Sequence, residues 1–292
     1  MEKFQPKLVL CPTDFSEMGT LALKYGKMIS AGFEARMLVL FADRFEPPPY
    51  FTASQENKLI KSLERSRKAA AANLTRYIIE NLGKGAQADS LVTEGRPDQA
   101  ILKTAEARHA DLIVMGTHGR SGWSRIMLGS VAERVLRETD RPVLTVGFKE
   151  GMSGPSSLSL KKMICPVNYS NVSQKALGHA AAMAARFNAE LTVIHAIESP
   201  SDPQEDAKEM DRLCAWIPHD LRPTCNFKEV IRKGNAAEEI IDLAASMDAD
   251  LIALGAQHKR FWDSTVIGTT TMNVIRHAPC PVFTVVQKIG IR

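Results

Sequence analysis

An internal repeat constrains this chain more than any other feature. Three segments occur twice: LVLCPTDFS (8–16) as MICPVNYS (163–170), ADLIVMG (110–116) as ADLIALG (249–255), and RPVLTV (141–146) as CPVFTVV (280–286). Cys11 and Cys165 are 154 residues apart, whereas Gly116 and Gly255 are 139 apart, so the second copy is 15 residues shorter between these points. A period this long indicates two complete domains rather than a solenoid of short repeats.

The predicted domains are residues 1–149 and 158–292, and the join lies near FKEGMSGPSSLSLK at 148–161, which is rich in Gly, Ser and Pro. With 292 residues, 45% of them apolar, each half is long enough to bury a core. The net charge of +4 is modest and spread along the chain, so we expect neither nucleic acid nor an acidic membrane as a partner.

The sequence also favours a cytoplasmic protein. The N-terminus lacks the layout of a signal peptide, and no window holds the ~18 apolar residues of a membrane span. The five cysteines are odd in number and form no CxxC pair, which argues against a disulfide framework or a zinc site. We therefore expect reduced cysteines that pack as small apolar groups.

Strand-like and helix-like segments alternate in each copy. In the first copy the strands are KLVLCP, ARMLVLFA, DSLVTEG, DLIVMG and RPVLTVG, and helical patterns lie between them. Runs such as LIVM are apolar on both faces, as in parallel strands covered by helices on both sides. The predicted fold class is α/β, with two tandem open parallel sheets of five strands each, in the order 3-2-1-4-5.

Unusual residues follow the first and fourth strands, which are neighbours in this order. Ligands of open α/β sheets bind beyond the carboxyl ends of the strands, where the strand order reverses. Gly116 and Gly119 lack a Cβ, so their N–H groups can approach an anion and adopt positive φ. Gly129 and Ser130 stand where the next helix begins, and free N–H groups there favour phosphate.

Charged residues near this edge fit the same kind of ligand. Arg120 and Arg125 can close over phosphates with their forked donors. Asp14 can accept hydrogen bonds from ribose hydroxyls or hold a magnesium ion through water. Each residue also has a simpler interpretation, since loop glycines form turns, Ser130 and the Asp14–Ser16 pair cap helices, and Arg125 can be a solvated surface charge. Their convergence on one edge favours an anion site.

Other nucleotide and hydrolase signatures are missing from the sequence. It contains no G-x-x-x-x-G-K-[ST], no G-x-G-x-x-G after the first strand and no G-x-S-x-G. A P-loop NTPase, a dinucleotide-dependent enzyme of the usual type and a serine hydrolase are therefore disfavoured.

At these residues the chain resembles the universal stress protein family, whose ATP-binding members carry G-x2-G-x9-G-[ST]. Gly116, Gly119, Gly129 and Ser130 have this spacing. PTDFS and RPVLTV resemble the family as well, and the likeness extends over both copies, as in its tandem members. The resemblance implies a nucleotide site in the first domain. The residues it implies are Pro12, Thr13 and Asp14 around the adenosine, Phe41 beside the adenine, Met115, Gly116, His118 and Gly119 around the ribose and phosphates, and Gly129, Ser130 and Val131 at the phosphates.

The resemblance also implies the cofactor and partners. The cofactor would be ATP, with or without Mg²⁺. The fifth strands of the family pair across a dimer interface, so Val143–Val146 would pair with Val282–Val285 in an internal pseudo-dimer. That pairing would hide two strand edges. Association into a homodimer and binding of an unidentified protein partner both remain open.

The second copy departs from the motif. Asn168 stands where the first copy has Asp14, and His258 stands where it has Gly119, although Gly255, Gly268 and Thr269 remain. We therefore expect the second copy to bind ATP weakly or not at all.

The expected function is that of an ATP-binding regulator or sensor in a stress response. Three alternatives were weighed: slow ATP hydrolysis, an adenylyl-transfer enzyme of a related fold, which would need a further catalytic motif, and a nucleotide-free scaffold for other proteins.

Overall fold

A computed structural model of the chain describes residues 4–43, 53–118, 128–147, 158–198, 203–261 and 264–288. Three residues of the predicted phosphate segment, Gly119, Arg120 and Arg125, lie outside this part of the chain, as does most of the predicted join. The bounds of the two domains therefore stay a prediction. Within the described part, no helix is both long and apolar enough to cross a membrane.

The first half alternates five strands with four helices. They are β1 (Leu8–Thr13), α1 (Glu17–Phe33), β2 (Arg36–Asp43), α2 (Ala53–Leu82), β3 (Ala88–Glu94), α3 (Pro97–Ala107), β4 (Leu112–Gly116), α4 (Ser130–Glu138) and β5 (Val143–Val146).

The second half repeats this plan with one additional strand. Its elements are β6 (Lys162–Pro166), α5 (Asn171–Phe187), β7 (Glu190–Ile197), α6 (Pro203–Trp216), β8 (Asn226–Lys233), α7 (Ala236–Met247), β9 (Leu251–Phe261), β10 (Ser264–Ile267), α8 (Thr269–His277) and β11 (Val282–Lys288).

The predicted fold class is confirmed and the predicted strand order is found in both halves, whereas the prediction of five strands each is wrong for the second half, which adds β10. The order is β3-β2-β1-β4-β5 in the first half and β8-β7-β6-β9-β11 in the second, and the strands within each order are parallel. Alternate residues of a central strand face opposite sides, so Val114 packs in one buried cluster and Ile113 in the other. Both faces of the sheet are therefore covered, as the apolar runs predict.

The two halves join edge to edge into one continuous sheet. Strand β5 pairs antiparallel with β11, with Leu144 opposite Phe283 and Val143 opposite Thr284. The pairing predicted between the two fifth strands is thus present. It removes both edges that β5 and β11 would otherwise expose.

Matched helix starts show how closely the halves repeat each other. The Ser16 side chain accepts a hydrogen bond from the Gly19 N–H at the start of α1, and Ser170 accepts one from Ser173 at the start of α5. Each cap satisfies a backbone donor that the first helical turn leaves unpaired. These turns end β1 and β6 and direct the chain away from the carboxyl edge of the sheet.

Candidate functional site

A cavity of about 510 Å³ opens at the carboxyl ends of β1, β2 and β4, beside the start of α4. Ten of the twelve predicted binding residues line it, and the other two, Gly119 and Arg120, lie outside the described residues. The ten are Pro12, Thr13, Asp14, Phe41, Met115, Gly116, His118, Gly129, Ser130 and Val131. The fold therefore brings together residues that are more than one hundred positions apart in the sequence.

Eight further residues line the same cavity and were not predicted. Three of them adjoin Phe41 on β2 and could have been predicted as further residues at the end of that strand. Two others belong to α3, where the sequence contains no motif that indicates a binding site. The eight are Gly19, Leu40, Ala42, Asp43, Pro97, Ile101, Thr117 and Ala132.

One end of the cavity is apolar. Leu40 and Met115 are buried, and they line the wall together with Phe41 and Ile101. The Phe41 ring lies 4.7 Å from the Phe15 ring, which packs edge-on against Tyr77. An aromatic cluster behind the wall holds Phe41 in place, so this end suits a flat apolar group such as a base.

Asp14 closes the turn between β1 and α1. Its Oδ1 accepts hydrogen bonds from the Ser16 backbone N–H at 3.1 Å and from the Ser16 hydroxyl at 2.5 Å. In the second half, Asn168 accepts the same two bonds from Ser170, at 3.3 and 2.6 Å. An amide oxygen therefore suffices for the turn.

The glycines of the motif have a role that the sequence analysis did not give them. Gly116 does not have the positive φ predicted for it, and Gly129 has φ −64°. A Cβ on Gly116 would lie 2.9 Å from the Met18 Cβ of α1, and one on Gly129 would lie 2.9 Å from the Thr117 carbonyl oxygen. Both glycines thus allow close packing of protein segments, because even a methyl group would not fit.

Ser130 begins α4 and is not its cap. Gly129 occupies the N-cap position and Ser130 is the first residue of the helix, so the interpretation of Ser130 as only a cap is wrong. Ser130, Val131 and Ala132 form the first turn, where backbone N–H groups have no helical acceptor. These residues line the cavity and place the positive end of the helix dipole beside it.

His118 lines the cavity, and one of its ring nitrogens is buried and unsatisfied. Its Nδ1 lies 3.0 Å from the Thr117 hydroxyl, which in turn donates to the Val146 carbonyl. Its Nε2 is buried and has no hydrogen-bond partner among the described residues. Burial lowers the pKa of the ring, which keeps it neutral. With Nδ1–H donating to the hydroxyl, Nε2 is an acceptor that a ligand hydroxyl or amine can satisfy.

The corresponding segment of the second half is built differently. Strand β9 continues to Phe261 and turns back as β10, so that His258 pairs with Ile267. The same residue also pairs in register with Lys288 of β11. The position that the repeat aligns with Gly119 is thus part of a pair of antiparallel strands.

The second half also replaces the aromatic pair behind the cavity wall. His195 stands at the position of Phe41, and its Nδ1 donates to the Val167 carbonyl at 2.8 Å. Tyr169, at the position of Phe15, donates to Glu209 at 2.6 Å, and Arg212 lies over its ring. These contacts form a polar network where the first half has an apolar wall.

Within the described residues, no group of three or more His, Cys, Asp or Glu side chains is arranged to hold a metal ion. All five cysteines are free, as predicted. Burial raises the pKa of the Cys11 and Cys165 thiols, so neither is primed as a nucleophile.

Comparison with known proteins places this architecture in one family. The model of the universal stress protein family matches residues 6–147 and again residues 159–286. A universal stress protein of Methanocaldococcus jannaschii is 35% identical over 140 residues, which cover 48% of this chain and 81% of the relative. A second one from the same organism is 31% identical over 155 residues, covering 49% and 96%.

A solved structure shows the same fold over nearly the whole chain. The crystal structure of a universal stress protein from Archaeoglobus fulgidus superposes with a TM-score of 0.71 at 24% identity, covering 96% of this chain and 98% of that one. The two family matches, the repeated strand order and this superposition agree. The chain belongs to the universal stress protein family and contains the family's domain twice.

Proposed function

We propose that this protein binds an adenine nucleotide, with ATP as the ligand, in the cavity of its first half, and that it acts as a nucleotide-dependent regulator or sensor in a stress response. The observation that carries the proposal is the convergence of ten motif-related residues on one cavity at the edge where the strand order reverses. Its output would pass to a protein partner that is not identified, and a cytoplasmic location stays a prediction.

The chemistry of the cavity supports a nucleotide in one orientation. The base would lie against Leu40, Phe41 and Met115 at the apolar end. The ribose would lie near Asp14, whose carboxylate can accept from its hydroxyls, and a ligand donor could satisfy His118 Nε2. The phosphates would then meet the first turn of α4. Mg²⁺, where present, would be bound mainly by the phosphates.

We propose that the second half binds no ATP. The β9–β10 hairpin takes up the segment that would surround the phosphates, and the Tyr169–Glu209 and His195–Val167 hydrogen bonds occupy the region beside the equivalent of the base. In this proposal the second half supports the first through the shared sheet.

Calorimetric titration of the full chain with ATP tests both proposals. We expect one site per chain and a higher melting temperature with ATP, since ligand at ~100 times Kd adds about 2.7 kcal/mol of stability. Gly119→Val places a branched side chain in the predicted phosphate segment and should abolish binding. His258→Val, the matched change in the second half, should leave binding unchanged.

Other outcomes contradict the proposals in different ways. If the ligand-free protein shows neither heat of binding nor a melting shift with ATP, the nucleotide proposal fails and the scaffold alternative gains. A stoichiometry of two, half of which survives Gly119→Val, would mean that the second half also binds.

A further inference from the structure

A second cavity, of about 600 Å³, lies next to the first and shares Pro97, Ser130 and Val131 with it. Its remaining wall consists of Gly95, Arg96, Asp98 and Arg134. It is therefore reached from the start of α4, where the phosphates of the proposed nucleotide would lie. Ser130 and Arg134 are four residues apart and share one face of that helix, about 6 Å along its axis.

One buried carboxylate holds two arginines at this second cavity. The Asp98 side chain is only 7% exposed, and its Oδ2 lies 2.6 Å from Arg134 Nη1 and 3.0 Å from Arg96 Nη2. The guanidinium groups themselves are about half exposed, at 46% for Arg134 and 54% for Arg96. Each guanidinium has five N–H donors, so both keep donors for an anion, although Arg134 Nε also lies 3.8 Å from the Glu138 carboxylate, which brings the net charge of the four side chains to zero.

The second half has none of these three side chains. At the equivalent positions, 139 residues later, Asn235 replaces Arg96, Ala237 replaces Asp98, and Asn273 replaces Arg134. This is also the half in which the β9–β10 hairpin replaces the phosphate segment. The charged cluster and the complete glycine motif thus both occur in the first half, and neither occurs in the second half.

Arg96 stands where helix stability favours a different residue. It is the N-cap of α3 but makes no side-chain capping bond. Its counterpart Asn235 caps α7 by accepting from the N–H groups of Ala237 and Glu238. A positive charge at a helix N-terminus also opposes the dipole. Helix capping therefore does not account for an arginine at this position, whose local contact is the ion pair with Asp98.

We propose that Arg96 and Arg134, positioned by Asp98, bind the terminal phosphates of the nucleotide and make the site select adenosine triphosphate over adenosine monophosphate and cyclic AMP. The inference rests on the proposed function and adds the selectivity of the site. Forked guanidinium donors match phosphate oxygens, and the two arginines lie beyond the helix start that would bind the nearer phosphates. AMP and cyclic AMP have no phosphate that extends this far.

The test is a titration of the full chain with ATP, ADP, AMP and cyclic AMP. Arg134→Gln should weaken ATP binding roughly 10- to 50-fold while changing AMP affinity by no more than about twofold, because only the contact with a terminal phosphate is lost. Arg137→Gln is the matched control: it removes the same charge from the same helix, at similar side-chain exposure (42%), but lies outside the cluster. It should change neither affinity substantially.

The outcomes separate this inference from the proposed function. Equal losses for ATP and AMP would show that the cluster is only structural, and an unchanged ATP affinity would show that it does not bind phosphate; either result overturns the inference alone. Absence of binding by the wild type to every adenine nucleotide overturns the proposed function and the inference together. Should Arg134→Gln melt well below the wild type, Arg96→Gln, at the more exposed arginine, provides the same comparison.

Discussion

At the scale of single residues, Gly116 and Gly255 show that a glycine in a binding motif can be required by the fold itself. Gly116 ends β4, whereas Gly255 occupies the equivalent position inside β9, which continues to Phe261, and both lie against the helix that follows the first strand. A Cβ on Gly255 would lie 2.7 Å from the backbone carbonyl of Val172, closer than any contact of a Cβ on Gly116. This explains why Gly255 remains although the segment after it has become a hairpin.

The corresponding prediction concerns stability. Gly116→Ala should lower the free energy of unfolding by about 1 to 3 kcal/mol through overpacking, and Gly255→Ala by more, because its added Cβ would meet backbone atoms of Val172 and Ser173 at 2.7 to 2.8 Å, closer than any contact at Gly116. Gly85→Ala is the control, since Gly85 has nothing within 4 Å of an added Cβ and no positive φ. Urea denaturation measures all three variants. Equal stability of the Gly85 and Gly255 variants would contradict the prediction.

At the scale of elements, the paired helices α3 and α7 separate stability from the proposed function. Asn235→Ala removes a cap and should cost about 1 kcal/mol of folding stability. Arg96→Ala at the matched position should change it by less than about 0.5 kcal/mol, since it removes only a half-exposed ion pair and leaves Asp98 bound to Arg134. Chemical denaturation without nucleotide measures both. An equal cost for both variants would indicate that Arg96 stabilises α3.

The elements also show what the sequence could predict. Parallel pairing was predictable because apolar runs such as LIVM indicate buried parallel strands, and the strand order was predictable because unusual residues follow the first and fourth strands. The β9–β10 hairpin was not predicted, because the antiparallel pairing of β9 with β10 has no counterpart in the motif of the first copy with which this segment was aligned. The Arg96–Asp98–Arg134 cluster was missed because it forms only when α3 packs against α4.

The same limit applies within the candidate site. The G-x2-G-x9-G-[ST] spacing, the strand ends and the resemblance to the family together indicated the ten residues that share one cavity. The spacing could not distinguish a glycine that admits a ligand from one that admits a neighbouring helix. Both uses require the absence of a side chain, and only the packing partners, Met18 for Gly116 and Thr117 for Gly129, tell them apart.

At the scale of the whole molecule, an aromatic cluster ties the two halves together beneath the shared sheet. Phe4, which precedes β1, packs 4.8 Å from His179 on α5 and 5.3 Å from Phe283 on β11. His179 is 6% exposed, and its Nδ1 has no hydrogen-bond partner among the described residues. Burial, and to a lesser degree the charge of Lys175, lowers its pKa from 6.5 to about 4.

This interface should therefore weaken in mild acid. Below pH 6.5 the unfolded chain takes up a proton on His179 that the folded chain resists until about pH 4, so stability present at pH 7 and above is lost as the pH falls. Between pH 8 and pH 5 the loss from this residue is about 2 kcal/mol. Denaturation curves of the wild type and His179→Phe at both pH values measure it. An equal pH dependence in the two proteins would contradict the assignment.

The antiparallel strand pair β5–β11 has a consequence for how the two halves diverged. In a pair of identical subunits, every substitution appears on both sides, so a change that closes one cavity closes the other. Here both partners belong to one polypeptide, which keeps them in equal amounts and at a high effective concentration. The two halves can then differ within one assembly: one half keeps the complete glycine motif while the other carries the β9–β10 hairpin.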